Sequence, residues 1–216
     1  MLLSVRELLV RQRTQLVNAL RGHAAEFGHV SRRGGEGVAT VLADVAEDAA
    51  LPTPAKDALA LLGEEIGRLE AKLAGIDAKL VAQHKQTATS RMLAEVPGIG
   101  PIGALSLVLR VDFTQFKSGR HFASWLGLTP REHSTGGKTR LGGISRAGDE
   151  RLRQLLVLGA TAVVRRAKPG KASAWLIALL ARRPRKLAAV ALANKMARIV
   201  WAMMTSGEAY RQPATA

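Results

Sequence analysis

From Leu59 onward the large apolar residues fall at positions 59, 62, 66, 69, 73, 76 and 80, in alternating steps of three and four. With Glu64, Glu65, Arg68, Glu70 and Lys72 flanking it, this heptad repeat predicts a long helix packed along a seam against another helix, from this chain or from a second copy. Gly63, Gly67 and Gly75 each weaken that helix by about 1 kcal/mol relative to alanine, so its partner has to supply the stability. Upstream, Val5, Leu8, Leu9, Leu16 and Leu20 recur among arginines over residues 2–27 and predict a basic amphipathic helix. The stretch Gly28 to Gly37, with Ser31-Arg32-Arg33-Gly34-Gly35, reads as a basic loop. A short helix to Ala50 follows, then a break at Pro52 and Pro54.

In the second half, residues 92–109 resemble a helix-hairpin-helix motif, two short helices around a Gly-hydrophobic-Gly turn. There Gly98 and Gly100 permit the tight turn, Ile99 plugs it into a core, and the bared amides that begin the second helix suit a phosphate. A plain helical hairpin with an ordinary glycine turn stays open as the alternative. Phe113, Phe116, Phe122 and Trp125 recur near helical spacing and interrupt no basic run, which assigns most of them to a core. Leu126-Gly127-Leu128-Thr129-Pro130 ends that helix, and a short hairpin around Gly136-Gly137 follows. From Arg151 to Arg166 the apolar spacing predicts a helix, with Ser145 at or just before its start. Two basic turns, around Arg165-Arg166 and Arg182-Arg183, flank a short apolar helix, and a last helix runs from Leu187 to about Ser206. The fold class is all-α: a helical and coiled-coil segment over residues 1–88, then a compact helical domain over 89–216.

Charge sharpens this picture. The chain of 216 residues carries 32 Lys+Arg against 17 Asp+Glu, a net charge of +15, more than solubility asks for and a sign of a polyanionic partner, nucleic acid ahead of membrane. It has no cysteine, which excludes disulfides, thiolate metal sites and cysteine nucleophiles. No signal peptide is written at the N-terminus, and the apolar run from Leu187 to Met204 is interrupted by Asn194, Lys195 and Arg198. A bacterial cytoplasmic, nucleoid-associated protein with no membrane partner is expected.

The candidate chemistry lies in residues 131–153. Glycines at 136, 137, 142, 143 and 148 allow close approach to a ligand, and Lys138, Arg140 and Arg146 stand beside them as cations. Spacing alone suits Ser145 to a helix cap. Arg153, Arg165, Arg166, Arg182 and Arg183 join Gly98, Gly100, Lys138, Arg140 and Arg146 as expected nucleic-acid contacts. The five histidines lack metal-ligand spacing, and no metal site is expected in this chain; His133, inside the loop, is a candidate phosphate contact.

Leu-Gly-Leu-Thr-Pro at 126–130, Ser-Thr-Gly-Gly-Lys at 134–138 and Ile-Ser-Arg-Ala-Gly-Asp at 144–149 followed by Leu152-Arg153 closely resemble the C-terminal domain of the insertion sequence 110/1111 family of transposases. Residues 6–22 are similar to that family's linker helix and 191–210 to its final helix. The resemblance implies that Ser145 is a nucleophile for DNA strand exchange through a phosphoserine, directed by a guide RNA, with subunits joined as a homo-oligomer through the coiled coil. It also implies a partner RuvC-like domain whose acidic residues hold divalent metal, Mg. These residues begin within the linker helix, so that domain is not among them. A catalytically inactive remnant or regulator that binds nucleic acid and oligomerises is the alternative, and an unrelated duplex-binding module is a third reading.

Overall fold

The computed structural model describes residues 1–30 and 36–211, which form two compact units, Met1–Leu80 and Val81 onward. The basic loop expected at residues 31–35 lies outside the described residues. Among the described residues there are nine α-helices and a single two-stranded hairpin, so the chain is all-α in class.

The first unit contains α1 (Leu2–Glu26), α2 (Glu36–Glu47) and most of α3 (Thr53–Gln86). Arg6 pairs with Asp77 at 2.5 Å and Arg13 with Glu70 at 3.5 Å. A step of seven up α1 is thus answered by a step of seven down α3, and the two helices run antiparallel with matched heptads. Leu59, Ile66, Leu69, Leu73 and Leu80 are buried, while Leu62 and Ile76 are half-buried. The partner of the seam is therefore the chain's own α1, one of the two possibilities the repeat leaves open. Leu20, Ala24, Val38, Val41, Val45 and Leu51 complete the core with Leu59 and Ile66. Gly63 is not a mere weakness in α3, because a Cβ there would lie 2.6 Å from the Leu42 side chain. Nothing comparable surrounds Gly67 or Gly75.

The second unit contains α4 (Ala88–Ala94), α5 (Pro101–Arg110), a 3₁₀ turn (Phe113–Gln115), α6 (Gly119–Trp125), the strands β1 (Pro130–Glu132) and β2 (Leu141–Ile144), then α7 (Glu150–Arg166), α8 (Ala174–Arg182) and α9 (Arg185–Ser206). Its core joins Leu93, Val96, Ile99, Phe122, Leu152 and Leu156 to Met196, Val200 and Met203. Phe113 and Phe116 pack on Phe122 with ring centroids 5.1 and 5.0 Å apart, as the spacing of the aromatics predicts. Trp125 is 37% exposed, at the edge of the cluster.

By length and composition alone α9 is apolar enough to cross a membrane, Asn194, Lys195 and Arg198 notwithstanding. Its buried residues Ala193, Met196, Ala197, Val200 and Met203 instead lie in the core with residues of α6 and α7, which accounts for their apolar character. It ends where Gly207 takes φ +71°, a left-handed stop.

A second glycine contact fixes α7. Gly98 in the α4–α5 turn and Gly159 in the middle of α7 touch through their backbones: a Cβ on Gly159 would lie 1.8 Å from the Gly98 carbonyl oxygen. A glycine inside a helix weakens it, and here the reward is that close approach.

Candidate functional site

The region around Ser145 starts from a hairpin. Gly136 and Gly137 both have positive φ, +56° and +76°, the arrangement a tight two-residue hairpin turn requires, and the Lys138 N–H donates to the Thr135 carbonyl at 3.1 Å. Pro130 pairs with Ile144 and Glu132 with Leu141, with an irregularity of register between them. Further out, the His133 N–H donates to the Arg140 carbonyl at 2.8 Å and the Arg140 N–H to Ser134 Oγ at 3.0 Å. Both strands are exposed for nearly their whole length, so the hairpin is an arm rather than a core element. Lys138 and Arg140 project from it into solvent. The His133 ring lies over Gly142, where a Cβ would come within 3.0 Å of Nε2.

Ser145 directly follows β2, and its backbone is fastened on both sides. Its N–H donates to the Thr129 carbonyl at 2.9 Å, the next N–H, of Arg146, donates to the Gly127 carbonyl at 3.2 Å, and the Arg131 guanidinium donates to the Ser145 carbonyl at 3.2 Å. Ser145 is half-buried, and its hydroxyl makes no hydrogen bond to any described residue. Arg146 has φ +58°, the one positive value at a non-glycine residue among those described. Such a conformation costs about 1–2 kcal/mol and persists where its surroundings impose it. Here they do. A Cβ on Gly127 would meet Ala147 N at 2.4 Å, and one on Gly148, with φ +65°, would meet the Trp125 carbonyl oxygen at 1.9 Å. The segment 145–148 is pressed backbone to backbone against the end of α6.

Two expectations change. Ser145 does not cap α7, because the cap is Asp149, whose Oδ1 accepts from the Leu152 N–H at 2.9 Å. The other oxygen of Asp149 lies 3.7 Å from Arg110. The left-handed turns at Arg146 and Gly148 separate the serine from the helix, and the carboxylate takes the place at the helix N-terminus that a phosphate would otherwise suit. Arg153, expected on phosphate, is buried, and its Nη1 donates to the carbonyls of Leu126 at 3.1 Å and Ala147 at 2.6 Å. It braces the serine segment from beneath, its charge turned toward backbone carbonyls.

The α4–α5 turn also differs from expectation in part. Gly98 has φ +94°, and Ile99 is buried. Gly100, with φ −82°, needs no glycine freedom and is simply the N-cap of α5. Residues 98–103 line an apolar cleft of about 260 Å³ whose other wall is Leu152, Leu155 and Leu156. Arg165 and Arg166 are exposed at the end of α7, with Arg182 and Arg183 exposed around the end of α8, and no described contact links these four to the serine segment.

Sequence reasoning missed Arg131, Gly127 and Gly159. The signals were present, an arginine one position into the hairpin and single glycines inside otherwise apolar segments, but they acquire meaning only once the partner backbone is known.

Residues 90–175 match a protein-family model described as "Transposase IS116/IS110/IS902 family". The chain is 52% identical over 216 residues to "Putative transposase y4pF/y4sB" of Sinorhizobium fredii (strain NBRC 101917 / NGR234), which covers 98% of this chain and 56% of that protein. It is 38% identical to "Transposase for insertion sequence element IS1111A" of Coxiella burnetii (strain RSA 493 / Nine Mile phase I), over 97% of this chain and 59% of that protein. It is 36% identical to "Transposase for insertion sequence element IS1328" of Yersinia enterocolitica, over 95% and 62%. The matched family and all three relatives carry the name transposase. The family match is confined to residues 90–175, and the chain spans between 56% and 62% of the length of these relatives.

Proposed function

We propose that the second unit supplies the serine nucleophile for DNA strand exchange by an insertion-sequence transposase. The observation that carries this reading is the presentation of Ser145: a backbone fastened to Thr129, Gly127 and Arg131, and a hydroxyl left without a partner. A serine held only for structure would spend its hydroxyl on a cap or a neighbouring carbonyl.

Attack by Ser145 Oγ on a phosphodiester forms a serine–phosphate ester and releases a sugar oxygen, which leaves with a proton. Attack on that ester by the hydroxyl of a second strand end restores the serine and completes the exchange. Negative charge builds on the phosphoryl oxygens at each step, and Arg131 and Arg146 beside the serine, with Lys138 and Arg140 on the arm, offset it. His133 is a further contact on the same arm. The turn at Gly98 and Gly100 holds the duplex backbone away from the serine.

Among the described residues no group of three or more His, Asp or Glu could hold a metal ion. Divalent metal, like the guide RNA that directs the exchange, belongs to the remainder of the complex. Copies of the chain associate through the first unit, and because α1 covers the seam of α3, they do so over residues that pair leaves exposed, Leu8 and Leu61 among them.

The test supplies the chain with a RuvC-like domain from a relative, element-end DNA and magnesium, then denatures the mixture and looks for DNA that migrates with protein. A covalent adduct is expected, absent in Ser145→Ala while DNA binding persists. An adduct of undiminished yield in Ser145→Ala refutes the nucleophile. DNA binding with no adduct in either protein supports the inactive binder or regulator.

A further inference from the structure

Between Glu150 and Glu208 the chain has twelve Lys and Arg and no Asp or Glu, so 57 consecutive residues carry most of the net charge of +15. The structure gathers the middle of this segment. Val164 of α7, Leu176 of α8 and Ala189 of α9 form one small apolar cluster, with Ala167, Ala172, Leu180 and Leu192 packed on it. Around it stand Arg165, Arg166, Lys168 and Lys171 on one side of α8 and Arg182, Arg183, Arg185 and Lys186 on the other, all exposed. None of the eight makes an ion pair with a described residue.

Helix ends account for some of these cations but not for all. Arg165, Arg166 and Arg182 close helices, where the macrodipole favours positive charge. Arg185 and Lys186 open α9, whose first turn has no acid, and there the macrodipole opposes them. Eight uncompensated cations around one knot repel one another, a cost that a bound polyanion removes.

The knot also exposes an aromatic side chain. Trp175, in the first turn of α8, is 36% exposed, and Lys195 of α9 lies over its ring at 4.4 Å from the centroid. The ammonium lies on one face of the indole, and the residue stays 36% exposed. A surface ring on a helix with exposed cations before it and after it in the sequence suits an unpaired strand, phosphates on the cations and a base on the ring. A duplex keeps its bases stacked on each other and has no use for the tryptophan.

We infer that the α8 knot is a second nucleic-acid surface that holds a single-stranded polynucleotide, RNA or DNA, with a base stacked on Trp175. The inference shares the nucleic-acid partner of the proposed function but does not depend on Ser145 as nucleophile.

The test is fluorescence anisotropy with labelled dT20, U20 and a blunt duplex of equal phosphate number, over a range of salt. Trp175→Leu weakens binding of the single strands roughly tenfold to a hundredfold and leaves the duplex unchanged, while Trp175→Phe retains most of the affinity. Replacing Arg182, Arg183, Arg185 and Lys186 by Gln, all at exposed positions, lowers the slope of log affinity against log salt by about 3 for single strands. The ratio of U20 to dT20 affinity tells which polynucleotide the surface prefers. Single-strand affinity that survives Trp175→Leu, a salt slope untouched by the four Gln substitutions, or tighter binding to phosphatidylserine vesicles than to any oligonucleotide overturns the inference. Ser145→Ala binds all three oligonucleotides as the wild type does. Loss of strand exchange in that variant, with these affinities intact, touches the nucleophile alone.

Discussion

Alanine at position 159 sets two effects against each other. Within a helix, alanine is favoured over glycine by about 0.8–1.0 kcal/mol, so propensity alone predicts that Gly159→Ala stabilises α7. The added Cβ, however, would lie 1.8 Å from the Gly98 carbonyl oxygen and 2.8 Å from its carbon. To reach 3.0 Å, below which such contacts are essentially not seen, the α4–α5 turn and α7 have to part by about 1.2 Å. Gly98 cannot turn aside, since it is held at φ +94° and its own missing Cβ faces the Gly159 carbonyl at 2.8 Å. Forcing an atom into packed structure costs about 1–3 kcal/mol, and against rigid backbone the upper part of that range applies, so a net destabilisation approaching about 2 kcal/mol is expected. Gly103→Ala in α5 is the control, because its Cβ would meet nothing nearer than Ile99 at 3.8 Å. That substitution is expected to be neutral or to stabilise by up to about 1 kcal/mol. All three tryptophans, at 125, 175 and 201, lie in the second unit, so tryptophan fluorescence during urea unfolding reports on it selectively. A Gly159→Ala midpoint equal to or above that of the wild type would refute the backbone contact.

Other consequences can be checked alongside. Arg153→Met leaves the Leu126 and Ala147 carbonyls without their donor and is expected to cost about 2–4 kcal/mol in urea unfolding, with adduct yield falling while DNA affinity holds. If Arg153 touched phosphate instead, affinity and its salt dependence would fall together. Gly148→Ala places a Cβ 1.9 Å from the Trp125 carbonyl oxygen at φ +65°, so it should displace the serine segment and abolish adduct formation. Asp48 titrates below the ordinary 3.8, chiefly because the Ala50 N–H donates to its carboxylate and also because His29 lies 3.0 Å away. A lowered value stabilises the fold above pH 3.8 and is lost as pH falls through it, so Asp48→Asn should flatten the acid limb of the first unit's stability profile.

How much of this was legible in the sequence depends on how local each determinant is. The heptad from Leu59 to Leu80 sets the long helix, because periodicity is a property of neighbouring residues. Its partner is fixed by Arg6 with Asp77 and Arg13 with Glu70, pairs far apart in sequence. The hairpin at Gly136-Gly137 was readable for the same local reason as the heptad, since two positive φ values in a row leave little choice of residue. Ser145 was harder to place. Spacing put it at the start of α7, whereas Asp149 takes the cap and the strained Arg146 turns the chain between them. Arg153 shows the limit most clearly. Composition marks every arginine of a basic protein as a phosphate contact, and only the backbone carbonyls around this one reveal that it faces inward.

The central claim is that Ser145 becomes bonded to phosphate. Peptide mapping of the denatured protein–DNA adduct, after nuclease trimming, reads the attachment residue directly. The expected result is a nucleotide on the peptide that contains Ser145 and on no other. Attachment at Ser134, Thr135 or Thr139 of the hairpin arm, or at any residue outside the second unit, would contradict it.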